Sequence, residues 1–253
     1  DVFSMQSQED ARRVEMLGVE VAKIRVTGNL KFDQPMVKNA AQEREELIRE
    51  LEWIQPSLTW VAGSTHPGEE DIILRVYSRL RREVADLCLI LAPRNQQRFE
   101  EVFKLALQSG WQTLLRSQLD AGKGRGAQMD VLILDTIGEL AHFYSLGDFA
   151  FVGGSLVPLG GHNPLEAAQR GLPVVFGPHM ENFRDIASIL TESGGGFQIA
   201  DENKLFSQLR AWLTEPAVAK EQGQKAQQAL QLHQGAVGRN LEVIRSILGT
   251  GKR

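Results

Sequence analysis

The sequence predicts an α/β fold in which helices cover both faces of a parallel sheet. From Leu58 to Ile199, short apolar runs alternate with segments of helical periodicity. The runs are of the continuous apolar kind that forms buried parallel strands. This alternation builds βα units with right-handed crossovers. The chain has 253 residues, which is enough for one large domain or for one domain and part of another.

The composition excludes several classes of protein. A net charge of −4 does not mark a nucleic-acid binder. The five histidines are scattered, so no structural metal is expected. No apolar run approaches the roughly 18 residues that a membrane helix needs. The lone cysteine, Cys88, is expected in the core and excludes an internal disulfide. Because the chain starts at Asp1 and not at Met, we expect a fragment or a processed product.

The first 54 residues predict two helices and a strand. Apolar residues at helical spacing and the stop at Gly18 predict a helix over Gln6–Leu17. A strand is expected over Val19–Val26, and a helix with a charged outer face over Met36–Ile54. The turn between them contains Lys31, which faces either a ligand phosphate or only solvent.

The rest of the chain predicts seven strands and the helices that connect them. The strands are expected at Leu58–Ala62, Leu87–Leu91, Gln112–Leu115, Val131–Leu134, Phe149–Val152, Pro173–Pro178 and Phe197–Ile199. The helices are expected at Asp71–Glu83, Gln96–Leu107, Leu140–Ser145, Glu166–Gln169, Met180–Thr191, Asp201–Leu213 and Pro216–Leu248. Gly235 is expected to interrupt the last helix, and the glycines of Gln118–Gln128 predict a loop.

A glycine-rich loop follows the strand Phe149–Val152. Asn163 is a good helix N-cap, and Pro164 suits the first helical position. A strand, a glycine loop and a helix start together predict an anion site, because unpaired N–H groups and the helix dipole both favour negative charge. Glu166 lies in the first turn and could accept hydrogen bonds from a sugar hydroxyl. The spacing matches neither the dinucleotide motif nor the P-loop, and many glycine loops bind nothing.

Three other strand ends carry candidate site residues. Ser64 and His66 lie at the tip of the loop after the strand at 58–62, where they either line a cleft or belong to a simple helix cap. Arg94 follows the next strand and can pair with a phosphate, stack on a base or remain solvated. Gly138 begins a helix and allows close approach of a flat or charged group.

These motifs resemble, in the same order along nearly the whole chain, those of the bacterial 3-deoxy-D-manno-oct-2-ulosonic acid (Kdo) transferases. The matching segments are 27–33, 62–70, 92–94, 135–140, 153–155, 160–166, 176–179 and 182–183. The resemblance implies a GT-B fold, in which two Rossmann-like domains face each other across a cleft. It implies inverting transfer of Kdo from CMP-Kdo to a lipid A precursor.

The resemblance also implies a domain plan. Residues 1–26 would be the end of the N-terminal acceptor domain and the crossover. Residues 27–235 would be the Rossmann-like nucleotide-sugar-binding domain, and the helix in 236–253 would pack back on the N-terminal domain. The catalytic glutamate, the acceptor site and the membrane contact would all lie in that N-terminal domain. The whole enzyme would act without a metal, at the cytoplasmic face of the bacterial inner membrane.

By the same resemblance, CMP contacts fall on three corners of the sheet edge. They are Pro93, Arg94, Ile137, Gly138, Glu139, Asn163, Pro164, Leu165 and Glu166. Further candidates for the donor cleft are Lys31, Ser64, His66, Gly160, Gly161 and His162. Two other classes stay open: a UDP-dependent GT-B glycosyltransferase or sugar-nucleotide epimerase, and a non-catalytic nucleotide-binding domain.

Overall fold

The computed structural model describes residues 1–33, 39–52, 56, 58–120 and 129–250. The chain divides into two compact units. Unit 1 comprises Asp1–Met36 and Gln228–Arg253, and unit 2 comprises Val37–Gln227. In chain order the elements are β1 (Phe3–Met5), α1 (Gln8–Met16), β2 (Ile24–Val26), α2 (Ala40–Glu50), β3 (Leu58–Thr65), α3 (Glu69–Leu80), β4 (Leu87–Pro93), α4 (Phe99–Gln108), β5 (Thr113–Leu115), α5 (Arg116–Asp120), β6 (Val131–Ile133), α6 (Leu140–Phe143), β7 (Phe149–Val152), α7 (Leu165–Ala168), β8 (Val174–Phe176), α8 (Arg184–Ser193), β9 (Gly196–Gln198), α9 (Glu202–Thr214), α10 (Pro216–Leu232) and α11 (Ala236–Thr250).

Unit 2 is built on a seven-stranded parallel sheet flanked by helices, which confirms the predicted α/β class. The strand order is β5-β6-β4-β3-β7-β8-β9. Strand β3 is central, and its Trp60 stands opposite Leu89 of β4 and Phe149 of β7. The chain builds one side of the sheet from β3 and then crosses to the other side at β7. In such sheets the crevice at the carboxyl ends of the strands where the order reverses is the usual ligand site.

The core of unit 2 consists of the apolar strand residues that the sequence predicted and the helix faces packed on them. Trp60, Phe149 and Phe151 are fully buried. Trp212 of α9 packs its ring on Phe149 and on Phe197, with ring centroids 5.7 Å and 5.4 Å apart. Cys88 is buried in β4, as expected from its apolar run.

Unit 1 contains a two-stranded parallel sheet of β1 and β2, helices α1 and α11, and the end of α10. The strand predicted over Val19–Val26 is shorter: Val21–Lys23 form a 3-10 turn and only Ile24–Val26 pair with β1. Its partner is three residues long, so the ladder holds three residue pairs. Asp33 accepts hydrogen bonds from the backbone N–H groups of Gly235 and Val237, which ties the start of α11 to the turn at 30–33.

Several predicted helices have different bounds in the structure. The helix predicted at 36–54 is α2, Ala40–Glu50, and the predicted ends at 36–38 and 53–54 lie outside the described residues. The segments at 96–98 and 181–183 are 3-10 turns that precede α4 and α8. The loop predicted over 118–128 is helical at 118–120, and its remainder lies outside the described residues. The interruption of the last helix at Gly235 is confirmed.

Of the helices that the structure describes, none has the length and apolar composition needed to cross a membrane. Within the same described ranges, no three or more His, Cys, Asp or Glu side chains cluster in a way that could hold a metal ion.

Candidate functional site at the carboxyl edge of the sheet

The loops that follow β3, β4, β6 and β7 lie along one edge of the unit 2 sheet, because all four strands are parallel and adjacent. Each of these loops carries candidate residues. The ends of β3 and β4 are tied together by the backbone N–H of Arg94, which donates to the carbonyl of Thr65 over 2.9 Å. Ser64, beside Thr65, has a φ of +56° where the β3–β4 register shifts. The edge is therefore shaped before any ligand binds.

A buried carboxylate organises the glycine loop after β7. Glu69, the first residue of α3, is fully buried. Its Oε1 accepts from the backbone N–H groups of Ser155 (3.0 Å) and Leu156 (2.9 Å). Its Oε2 accepts from the N–H groups of Gly154 (2.7 Å) and His66 (3.0 Å). Four hydrogen bonds to a charged acceptor join two loops into one framework.

The sequence predicts an anion site at the helix start after Asn163, and the N–H groups at the beginning of the glycine loop have another role. At Gly154, Ser155 and Leu156 those groups are bound by the chain's own Glu69. The sequence pattern placed Glu69 in the first turn of a helix, where a carboxylate suits the dipole, but did not identify its partners. The available signal is the acidic residue directly after Gly68, at the start of the helix that follows β3, and β3 is the strand next to the one that carries the glycine loop.

Three glycines allow close packing in this framework. A Cβ on Gly153 would lie 2.3 Å from the carbonyl oxygen of Ser64, so only glycine lets the two loops meet. Gly161 has a φ of +73°, and a Cβ there would lie 2.4 Å from the Sδ of Met180. Gly160, beside it, packs in the same way against the side chain of Asn182. Gly160 and Gly161 thus shape the loop through packing.

His66 and His162 form a pair that bridges the same two loops. Their Nε2 atoms are 2.7 Å apart, and their rings are parallel within 3°. Such a contact is a hydrogen bond only when one ring donates its N–H and the other accepts. Partial burial lowers the pKa of both rings, and repulsion by Arg94 adds to the effect. The pKa of His162 falls to about 4, so the pair is neutral at pH 7.

The corner after the glycine loop begins a helix of a single turn. The Oδ1 of Asn163 accepts from the N–H of Leu165 over 3.1 Å, but the N-cap of α7 is Pro164, so the predicted N-cap position is wrong by one residue. Pro164 precedes the helix and is not its first residue, since α7 spans only Leu165–Ala168. Glu166 is half-buried, and burial raises the pKa of its carboxyl, although Arg170 and Arg94 oppose this.

The corner after β6 leaves space above its backbone. Gly138 has a φ of +86°, and a Cβ there would meet no atom within 4 Å. Ile137 is 69% exposed. Glu139 accepts from Arg116 Nη2 over 3.1 Å and from the hydroxyl of Thr136. Because α6 is also one turn long, Leu140–Phe143, this corner offers local N–H groups and little macrodipole.

The positive charge of Arg94 acts on side chains of the loops after β3 and β7. Its charge lowers the pKa of His66, His162 and Glu166, so these side chains share one environment. Pro93 is buried at the end of β4, whereas Arg94 is exposed. Lys31 belongs to unit 1, where it lies in the 3-10 turn Leu30–Asp33. The candidate site of unit 2 is therefore a partly buried edge on which the charge of Arg94 acts, and burial raises the carboxyl pKa of Glu166 and of Glu70 there.

Comparison with known proteins identifies relatives along nearly the whole chain. A family model described as "3-Deoxy-D-manno-octulosonic-acid transferase (kdotransferase)" matches residues 1–34. The 3-deoxy-D-manno-octulosonic acid transferase of Haemophilus influenzae is 32% identical over 253 residues, covering 98% of this chain and 57% of the relative. The Bordetella pertussis enzyme of the same name is 32% identical over 96% of this chain and 56% of its own length. The chain thus spans about half the length of the curated relatives it matches.

Solved structures agree with these relatives. The C-terminal CMP-Kdo binding domain of WaaA from Acinetobacter baumannii is matched over its whole length and over 80% of this chain, with a TM-score of 0.66 and 29% identity. The complex of Staphylococcus aureus MnaA with UDP matches with a TM-score of 0.62 at 14% identity, a likeness of fold alone. On this sequence and structural similarity, the chain belongs to the 3-deoxy-D-manno-octulosonic acid transferase family.

Proposed function

We propose that this chain is the donor-binding half of a glycosyltransferase that moves Kdo from CMP-Kdo to a lipid A precursor in lipopolysaccharide synthesis. The observation that carries the proposal is the match to the CMP-Kdo binding domain of the A. baumannii protein, which extends over that whole domain. The same activity is named in relatives that cover up to 98% of this chain. UDP-dependent chemistry is less favoured, because the UDP-bound neighbours share only the fold.

We propose that CMP binds across the three corners of the sheet edge described above. The corners are formed by Pro93 and Arg94, by Ile137–Glu139 and by Asn163–Glu166. The open backbone at Gly138 would admit the flat base or the ribose. The exposed guanidinium of Arg94 would pair with the phosphate. Glu166, half-buried with a raised pKa, would accept from a ribose hydroxyl.

The proposed reaction is an inverting displacement. An acceptor hydroxyl attacks the anomeric carbon of Kdo, and the bond from that carbon to the phosphate oxygen breaks with its electron pair leaving on CMP. The hydroxyl proton would pass to the glutamate that the resemblance places in the N-terminal domain. This chain would stabilise the charge on the departing phosphate. Because α6 and α7 are single turns, Arg94 and individual N–H groups would do this, and not long helix dipoles.

The remaining parts of the proposal concern the whole protein. Residues 1–26 and 236–253 would pack on the acceptor domain, which would also supply the acceptor site and the membrane contact at the cytoplasmic face of the inner membrane. Exposed apolar residues in unit 1 support this: Leu17 is 84% exposed and Leu248 is 70% exposed. Ser64, Gly160 and Gly161 would shape the donor cleft, and no metal or nucleic acid would take part.

Titration calorimetry with CMP, UMP and UDP tests the donor assignment. We expect CMP to bind and the uridine nucleotides to compete poorly. Glu166→Ala should weaken CMP binding by about 1–3 kcal/mol, the cost of leaving a buried polar group unpaired. The control is Glu215→Ala, which removes an exposed glutamate after α9. Equal affinity for UDP, or an unchanged affinity in Glu166→Ala, would contradict the assignment.

A transfer assay tests the division of labour. The purified chain should bind CMP but release no Kdo to an acceptor, because the proposed base is outside it. Fusion to the N-terminal half of a relative should restore transfer. Robust transfer by the chain alone would overturn the proposed location of the catalytic glutamate.

A further inference from the structure

The His66–His162 pair carries one proton between its Nε2 atoms. At 2.7 Å, one ring donates its Nε2–H and the other accepts. In the neutral pair the donor ring therefore has a lone pair on Nδ1, and the acceptor ring carries its proton on Nδ1. A further proton can enter at the unprotonated Nδ1 without breaking the bridge. The pair can thus change from neutral to singly positive while keeping its geometry.

Burial is the largest cause of the lowered pKa of both rings, and the charged groups that face the pair modify it. His66 is influenced by Glu69 of α3, by Arg94 at the end of β4 and by Arg98 of the following 3-10 turn. His162 is influenced by His66 and Arg94. Glu69, the one carboxylate among these groups, already accepts four backbone N–H groups. The remaining neighbours are Arg94 and Arg98, which repel a further positive charge, and Arg98 is itself paired with Glu70 and Glu101, each at 2.8 Å.

An anion bound in this environment would reverse the balance. It would neutralise Arg94 and favour the imidazolium form. We propose that the His66–His162 pair takes up one proton when the anionic part of the donor binds, and that it then makes a cationic contact with that anion. The ligand chemistry is an anionic oxygen, either of the donor phosphate or of the sugar-acid carboxylate. The proton comes from solvent and returns to it when product leaves. This inference rests on the proposed function, because it takes a nucleotide-sugar acid as the donor.

The framework around the pair suits this role. The rings extend from two loops that Glu69 holds together, so their separation is set by the fold. Gly154 leaves them room, since a Cβ there would lie 3.0 Å from the Cδ2 of His162. A preorganised pair that changes charge without moving costs little reorganisation when an anion arrives.

Calorimetry in buffers of different ionisation enthalpy measures the proton uptake directly. Binding of cytidine, CMP and CMP-Kdo is measured at pH 7.5, and the slope of the observed enthalpy against the buffer enthalpy counts the protons. We expect no uptake with cytidine and an uptake approaching one proton with an anionic ligand. Uptake already with CMP identifies the phosphate, and uptake only with CMP-Kdo identifies the carboxylate. His162→Gln should abolish the uptake, and His233→Gln in unit 1 should retain it.

The outcomes separate this inference from the proposed function. CMP-Kdo binding with no proton uptake would overturn the inference and leave the function intact. No binding of either nucleotide would overturn both. Uptake that persists in His162→Gln would also refute the role of the pair. Subtracting the proton count of this variant from that of the wild type cancels any proton that the phosphate of CMP itself takes up. If that variant folds poorly, NMR of the wild-type imidazole C–H signals provides the test: on ligand addition, signals assigned to His66 or His162 must move to imidazolium positions.

Discussion

Replacing Glu69 with glutamine tests whether a buried carboxylate holds the donor edge together. Its two oxygens accept from the N–H groups of Gly154, Ser155, Leu156 and His66, at 2.7–3.0 Å. Glutamine has nearly the same shape but presents one oxygen and one NH2 group. Whichever way the amide is oriented, two of the four backbone donors lose their acceptor and face another donor.

The size of the effect follows from this count. An unsatisfied buried donor costs about 1–3 kcal/mol, so two of them predict a loss of about 2–6 kcal/mol in the free energy of unfolding. Glu69 is fully buried, so water cannot replace the lost acceptor without opening the loops. We therefore also expect CMP affinity to fall, because the loops after β3 and β7 would no longer be held in one arrangement.

Urea unfolding followed by circular dichroism measures this loss. The matched control is Asp71→Asn, which removes a negative charge from the same first turn of α3 but at an exposed position. It should cost the dipole interaction and the attraction to Arg75, together about 0.5–1.5 kcal/mol. If Glu69→Gln unfolds within about 1 kcal/mol of that control, the four-bond framework does not stabilise the fold as argued.

Three further predictions concern the same edge and unit 1. Gly161→Ala should destabilise the protein clearly more than Gly138→Ala. Both positions have a positive φ, but only the Cβ at Gly161 would lie 2.4 Å from the sulfur of Met180. Equal melting temperatures of the two variants would be evidence against this. His162 has a folded pKa of about 4 against an ordinary 6.5. Between these two pKa values the unfolded chain therefore binds more protons than the folded chain. The free energy of unfolding falls as the pH falls from 6.5 to about 4. His162→Gln should flatten that slope in urea unfolding between pH 4.5 and 7, and an unchanged slope would argue otherwise. Amide exchange in α11 should be slower at the start of the helix, where Asp33 accepts from backbone N–H groups, than over 243–250. Uniform protection along the helix would contradict this.

The sheet was predictable because its signal is local. Each buried strand must be apolar on both faces, so Leu87–Leu91 and Phe149–Val152 stand out without any knowledge of their neighbours. Helix caps were predictable for the same reason. Asp201 is the N-cap of α9 and accepts from the N–H of Lys204, a contact that spans only three residues. The bounds of the two short helices were less accessible. The helix α7 begins at Leu165, one residue before the predicted Glu166, and α6 continues as a 3-10 turn over Tyr144–Leu146.

The family motifs located the candidate corners but not the contacts between them. The sequence order placed His66 and His162 on separate loops, and their 2.7 Å contact joins residues 96 positions apart. Local periodicity contains no information on such a pair, because it depends on β3 and β7 being neighbours in the sheet.

Length, apolar runs and motif order were thus sufficient to assign an α/β chain to its family and to mark one edge of its sheet. The hydrogen-bond partner of the N–H groups at the start of the glycine loop became known only from the fold. Glu69 lies 85 residues from Gly154, and it reaches the loop because two adjacent parallel strands end at the same level. A carboxylate that binds backbone N–H groups looks, in the sequence, like any acidic residue at a helix start. Long-range hydrogen bonding, which depends on strand order, decides that the N–H groups of Gly154, Ser155 and Leu156 are bound within the chain.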